Sequence, residues 1–273
     1  MMKKLKAWRL LLPLVVVFCC SGSLSFAELP QPVAGDYAGI FSSHHVDAIE
    51  RKKFLQSAKP QALAVLRYWF EEWDEDTRQG GKGRYNDKWF PHGPKGAEGS
   101  KLVDAEIRSQ FMATFKDLLS GKEQWDIDNN PFDNLAYVLV FDQFTRNMFR
   151  GQDQAYQHDN LSRDAVKRNI EQGFYNYYFT GYQKLFIVYP LMHHEDLNSQ
   201  MMSLQYLKAI NEHPAHRYEF LNALQKGVEH YQVVFMFDRF PHRNVRRDRK
   251  NTANETVYLS KQGTPGFVDG SKW

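Results

Sequence analysis

Asp142, Arg146 and Arg150 stand four residues apart, a spacing that on one helix puts a carboxylate and two guanidiniums on a single face. On a solvated face each such pair is worth only about 0.3–0.5 kcal/mol. Val138, Phe141 and Phe144 surround Asp142 and Arg146, however, so the pattern predicts an ion pair withdrawn from water. The motif echoes later in the chain. Val138-Leu139-Val140-Phe141-Asp142-Gln143-Phe144 is matched by Val233-Val234-Phe235-Met236-Phe237-Asp238-Arg239-Phe240, and each copy runs on into an Arg-Asn pair, Arg146-Asn147 and Arg243-Asn244. If both copies line one groove, Arg146, Arg239 and Arg243 would clamp a carboxylate or phosphate through paired N–H groups, with Asn147, His242 and Asn244 orienting it.

A second cluster is His193-His194-Glu195-Asp196. Adjacent helical residues point about 100° apart, so the four do not converge on one ion, and Asn198 stands where a His-Glu-x-x-His zinc helix needs its second histidine. No metal site is expected. Asp196 is placed to cap the helix that follows it. The acid–base candidates are His194 with Glu195, and His242 with Asp142, each as a base and its orienting carboxylate. No Gly-x-Ser-x-Gly elbow and no phosphate-cradling glycine loop occurs, and no cofactor signature is present. Three readings stay open: a module binding a small anionic ligand or peptide, a hydrolase or lyase dependent on histidine and carboxylate, and a structural scaffold.

The elements that must position these residues are helical. Leu63, Leu66, Phe70 and Trp73 fall at helical spacing, as do Ile107, Phe111, Phe115, Leu118 and Leu119, the latter run closed by Gly121. A helix over Leu135–Phe141 is entered through Asn130-Pro131, where a missing N–H costs nothing. Further helices are marked by Leu161–Ile170 ending near Gly173, by Leu185–Met192, by Leu197–Leu207, and by a last long one from about Ala215 to Phe237. Period-two alternation is scarce. The expected fold is all-α, a tetratricopeptide-like bundle of antiparallel helical hairpins. Residues 79–100 hold six glycines and read as a long loop, in which Trp89-Phe90-Pro91 is apolar enough to dock on the body.

Lys3, Lys4, Lys6 and Arg9 precede an apolar run from Leu10 to Cys20, and small residues end in Ser25-Phe26-Ala27. This describes a cleavable secretory signal over residues 1–27, since a membrane span needs roughly 20 apolar residues. An uncleaved anchor is the alternative, and it is the one membrane contact expected. Cleavage before Glu28 removes both cysteines, Cys19 and Cys20, and four basic residues, leaving a formal charge of −1 in place of +3. Thiol chemistry is thereby excluded from the mature chain, and net charge gives no ground for nucleic acid binding. The basic run Arg246, Arg247, Arg249 and Lys250 lacks interleaved aromatics and is expected to be a solvated face. Residues 28–43 read as a linker and 44–273 as one helical domain. The expected location is periplasmic or secreted.

Val65-Leu66-Arg67-Tyr68-Trp69-Phe70, Asp104-Ala105-Glu106-Ile107-Arg108, Asp142 through Gly151, Tyr189 through Leu197, and Arg239 through Asn244 together resemble the domain-of-unknown-function 924 family. The likeness spans roughly Ala62 to Phe267 with the segments in order. It implies a bacterial, all-helical, tetratricopeptide-like fold and brings no reaction with it. Thr145 stands where the family usually has Pro, and His194 where Ser is frequent. The signal segment and the glycine-rich insert are additions to the pattern.

Overall fold

The computed structural model describes residues 48–71, 85–90, 96–213 and 219–260. The signal segment, the linker and most of the glycine-rich stretch lie outside the described residues. All regular structure among the described residues is helical: α1 (Ala48–Ser57), α2 (Pro60–Phe70), α3 (Gly96–Leu119), α4 (Pro131–Leu139), α5 (Thr145–Met148), α6 (Asp159–Glu171), α7 (Phe174–Tyr177), α8 (Gly181–His193), α9 (Leu197–Glu212), α10 (Leu221–Phe237) and α11 (Ala253–Ser260). The bundle is all-α, as the periodicity predicts. Two boundaries differ from expectation. The stretch read as loop to residue 100 is helical from Gly96 onward, because Ser100 already donates its hydroxyl to the Gly96 carbonyl as the first turn forms. The last long helix begins at Leu221; Ala215, its expected start, lies outside the described residues.

The start signals work through their side chains. Asn130 accepts from the N–H groups of Phe132 and Asp133 with Pro131 at the first helical position, so α4 opens with its free donors satisfied. Thr180 and Gln183 form a reciprocal capping box at α8. Asp196 accepts from the N–H groups of Asn198 and Ser199 at α9, as its position in the sequence suggests. Gly173, at φ +72°, takes the left-handed conformation that stops α6.

Helix α4 is buried against α2, α6 and α8, and α8 in turn packs on α9 and α10, which pack on each other. That central position explains why eight of the nine residues of α4 are buried, the polar Asp133 and Asn134 among them. Trp69 meets Phe144 and Phe186 edge-on at 5.5 and 5.4 Å, and Trp89 seals the cluster with its ring 4.8 Å from Phe186 and its indole N–H on the Trp69 carbonyl. Trp89 therefore docks as its apolar neighbourhood suggests, while Phe90 stays 40% exposed. The C-terminal ends of α4 and α8 come side by side, and there the polar residues gather.

Candidate functional site

Between Val140 and Phe144 the chain widens into a π-helical segment, with the Thr145 N–H bonded back to the Val140 carbonyl. The wide turn leaves carbonyls over, and side chains take them: Thr145 Oγ1 donates to Phe141 and Asp142, and Arg146 Nη1 donates to Asp142. Asp142 is thereby turned into the bundle interior with no exposed surface. Its carboxylate accepts from Arg146 Nη1 at 2.9 Å, from Gln143 Nε2 at 2.6 Å and from His193 Nδ1 at 2.8 Å. Burial pushes this carboxyl upward, but Arg146 and His193 outweigh it and hold it down at about 2.

His193 is the last residue of α8, delivered to this point by the helix that carries Tyr189 one turn earlier. Gln200, fully buried on α9, fixes the turn that follows by donating to the carbonyls of Met192 and His194. Burial holds the His193 imidazole below its ordinary pKa, with Asp142 opposing that shift. At neutral pH the ring is therefore uncharged, and a carboxylate can only accept, so Nδ1 carries the proton. Nε2 then presents a lone pair. It has no partner among the described residues, and the side chain keeps 16% of its surface exposed. His230 packs beside it, ring centroids 6.0 Å apart, with its own Nδ1 on the Lys226 carbonyl; burial keeps that imidazole neutral as well.

Arg146 reaches past Asp142 to Asp159, Nη2 to Oδ1 at 2.9 Å, and Arg243 meets the other oxygen of the same carboxylate at 3.2 Å. Both guanidiniums lie over the ring of Tyr156, Arg243 at 4.4 Å and Arg146 at 5.7 Å. The arginines of the two Arg-Asn copies thus meet, on an internal carboxylate.

Other expected members go elsewhere. Arg239 forms a two-pronged pair with Glu255, at 2.6 and 2.7 Å, at the start of α11. Asn147 donates to the Gln143 carbonyl and accepts from Arg150, while the Asn244 amide donates to Asn251; each serves its own turn. Arg150 does not share a face with Asp142 and Arg146. The π segment adds rotation and α5 ends at Met148, so Arg150 swings to Asp104, at 2.6 and 2.8 Å. The expected acid–base couples are not formed as drawn. His194 Nδ1 accepts from the Asp196 N–H and its Nε2 faces Asn160, whereas Glu195 accepts from Arg249 and from the Phe240 N–H. Burial raises the Glu195 carboxyl, and the Arg249 and Phe240 donors more than reverse this, to about 2. The histidine that Asp142 orients is His193, not His242. His242 lies one ring from the site, 5.7 Å from Phe240, and burial beside Arg243 and Arg246 lowers it to about 3.

The arginines of the basic run are not a solvated face either, although Lys250 is exposed. Arg246 and Arg247 donate to the hydroxyl and carbonyl of Tyr156, and Arg249 to Glu195, because these short loops fold back over the helix ends. Among the described residues no three His, Cys, Asp or Glu side chains are arranged to hold a metal ion, and no helix is long and apolar enough to cross a membrane.

Sequence reasoning missed His193, Tyr156 and Asp159. For His193 a signal existed: it follows Tyr189 by one helical turn and so shares that residue's inward face. Asp159 carries no such mark, since its partners are 13 and 84 residues away.

Residues 65–263 match a family described as a bacterial protein of unknown function, DUF924. No curated protein matches the chain. A solved structure, a protein of unknown function from Agrobacterium tumefaciens, is similar at 23% identity with a TM-score of 0.57, over 74% of this chain and 98% of that one. That likeness concerns the fold.

Proposed function

Because the chain belongs to the DUF924 family, whose description names no activity, we propose a function from the site itself: a general acid–base enzyme, a hydrolase or lyase, whose base is His193 Nε2. One observation carries this reading. A fully buried, ionised Asp142 holds the Nδ1 proton of an imidazole whose side chain is 16% exposed and whose other nitrogen has no protein partner among the described residues. A histidine serving packing alone normally has both ring nitrogens engaged, as His194 does. A carboxylate that fixes the tautomer leaves the distal nitrogen able to take a proton from water or a substrate. The π segment supports the reading, since such turns recur at functional sites.

The binding-module reading is less well supported in its original form. Arg239 is turned to Glu255, both Nη groups of Arg146 hold carboxylates, and Arg243 Nη1 holds Asp159.

Diethyl pyrocarbonate, which acylates neutral imidazole, tests the proposal by mass spectrometry. His193 should be modified ahead of His194, and a panel of ester, amide and phosphoester substrates should show activity that falls about 10²–10⁴-fold in His193→Gln. An unreactive His193 in the folded protein would overturn the proposal. The charged-then-apolar N-terminus supports export with cleavage before Glu28. Cell fractionation with N-terminal sequencing tests that, and an intact cytoplasmic chain would contradict it.

A further inference from the structure

We infer that the substrate of the His193 site carries an oxyanion, a carboxylate or a phosphate, and that Arg243, held beside Arg146, receives it over Tyr156. The inference rests on the general-base reading for the neighbouring His193, but its own observations are separate.

Arg243 has only 4% of its side chain exposed, yet its Nε–H has no partner. A buried guanidinium donor left unpaired is costly, typically by 1–3 kcal/mol, and native proteins leave few of them. Asp159 accounts for Nη1, and the rings of Tyr156 and Phe240 cover the guanidinium at 4.4 and 4.5 Å, so the group is locked in orientation before any ligand arrives. Arg146 is held equally firmly: Asp142 and Asp159 occupy its two Nη groups. Around Tyr156 the charges do not balance. Arg146, Arg243, Arg246, Arg247 and Arg249 face Asp142, Asp153, Asp159 and Glu195, and Arg246 donates to the Tyr156 hydroxyl, at 3.2 Å. Five guanidiniums against four carboxylates leave one positive charge, in a place where the imidazoles of His193 and His230 are neutral. A preset, desolvated arginine with an unpaired Nε donor and a local surplus of positive charge suits an oxyanion better than a neutral or cationic group.

The two functions are adjacent. His193 Nδ1 and Arg146 Nη1 share the single oxygen Asp142 Oδ1, at 2.8 and 2.9 Å, and Arg146 Nη2 and Arg243 Nη1 share the Asp159 carboxylate. An anionic group seated on Arg243 would therefore join the same hydrogen-bonded network that orients His193.

The test uses the full chain with inorganic phosphate and malonate as probes, followed by titration calorimetry and by the ring resonances of His193. We expect saturable binding of at least one probe, with the His193 signals shifting in step. Arg243→Gln and Arg243→Lys should weaken it about tenfold or more, the lysine because it lacks the fixed fork. His193→Gln should keep the affinity. Binding of phosphate alone would assign a tetrahedral anion, and binding of malonate alone a carboxylate. If neither probe binds nor moves His193 in the wild-type protein, the inference falls, even where the arginine variants fail to fold. Undiminished binding in a folded Arg243→Lys would overturn it too. Diethyl pyrocarbonate separates the two claims, since a reactive His193 without anion binding leaves the general base standing alone.

Discussion

Replacing Asp142 with Asn removes one charge and almost no volume from a side chain with zero exposure. The remaining amide can accept through one oxygen, but its NH2 must face one of three donors, Arg146, His193 or Gln143, all within 2.6–3.1 Å. Two contributions set the size of the loss. The carboxyl sits at about 2 against an ordinary 3.8, which at 1.36 kcal/mol per unit corresponds to about 2 kcal/mol of stabilisation. Arg146 also keeps only Asp159 as a counter-charge, and breaking one half of a buried ion pair typically costs about 3–5 kcal/mol. The second figure contains the first. We expect Asp142→Asn to lose about 3–5 kcal/mol at pH 7, a melting point lower by roughly 6–20 °C for a chain of this size. The sign with pH follows from a depressed acid. Its contribution is complete above the unfolded value near 4 and disappears as pH falls through about 2. The deficit of the variant should therefore be constant at neutral pH and shrink in acid. Urea denaturation followed by circular dichroism measures it. A loss under about 1 kcal/mol at pH 7 would refute the buried-pair reasoning.

Other outcomes follow from the same structure. Gly227→Ala would set a methyl 2.6 Å from Leu207 Cδ1 and 3.2 Å from Leu204 Cδ2, where α10 crosses α9; urea titration should show about 1–3 kcal/mol of destabilisation. His193, His230 and His242 are all held below the ordinary histidine value by burial, so the unfolded chain binds protons that the folded one refuses. Stability should be full above about 6.5 and fall steadily toward about 3, read as the urea midpoint against pH; a flat midpoint across that range would contradict it. Arg239→Ala should leave phosphate or malonate binding within about twofold of wild type, because Arg239 pairs with Glu255 and shares no partner with Arg243.

The helices were legible because each is written in local chemistry. Asn130-Pro131, Asp196 and Gly173 act on their own turns, and the apolar spacing of α2 or α10 needs no distant partner to be read. The site was legible only in part, for a physical reason. Asp142 and Arg146 are one turn apart and their pairing follows from spacing. What Asp142 does depends on the π segment, which rotates Arg150 away and has no propensity signature of its own. The meeting of Arg146 with Arg243 was foreseen from the repeated Arg-Asn motif, but the carboxylate between them was not. The repeat itself is not repeated in structure: Asp142 is buried in the π segment, while Asp238 ends α10 in the left-handed conformation at φ +57°, exposed to solvent. Similar sequence placed the two copies at different kinds of helix end, and the capping geometry decided their roles.

The central claim is that Asp142 fixes His193 with its proton on Nδ1 and an available lone pair on Nε2. Nitrogen-15 NMR of histidine-labelled full chain across pH reads both the tautomer and the pKa. The account predicts the Nδ1–H form at neutral pH and a His193 pKa below the ordinary value of 6.5. An Nε2–H tautomer, or a His193 that is already protonated at pH 7, would contradict it.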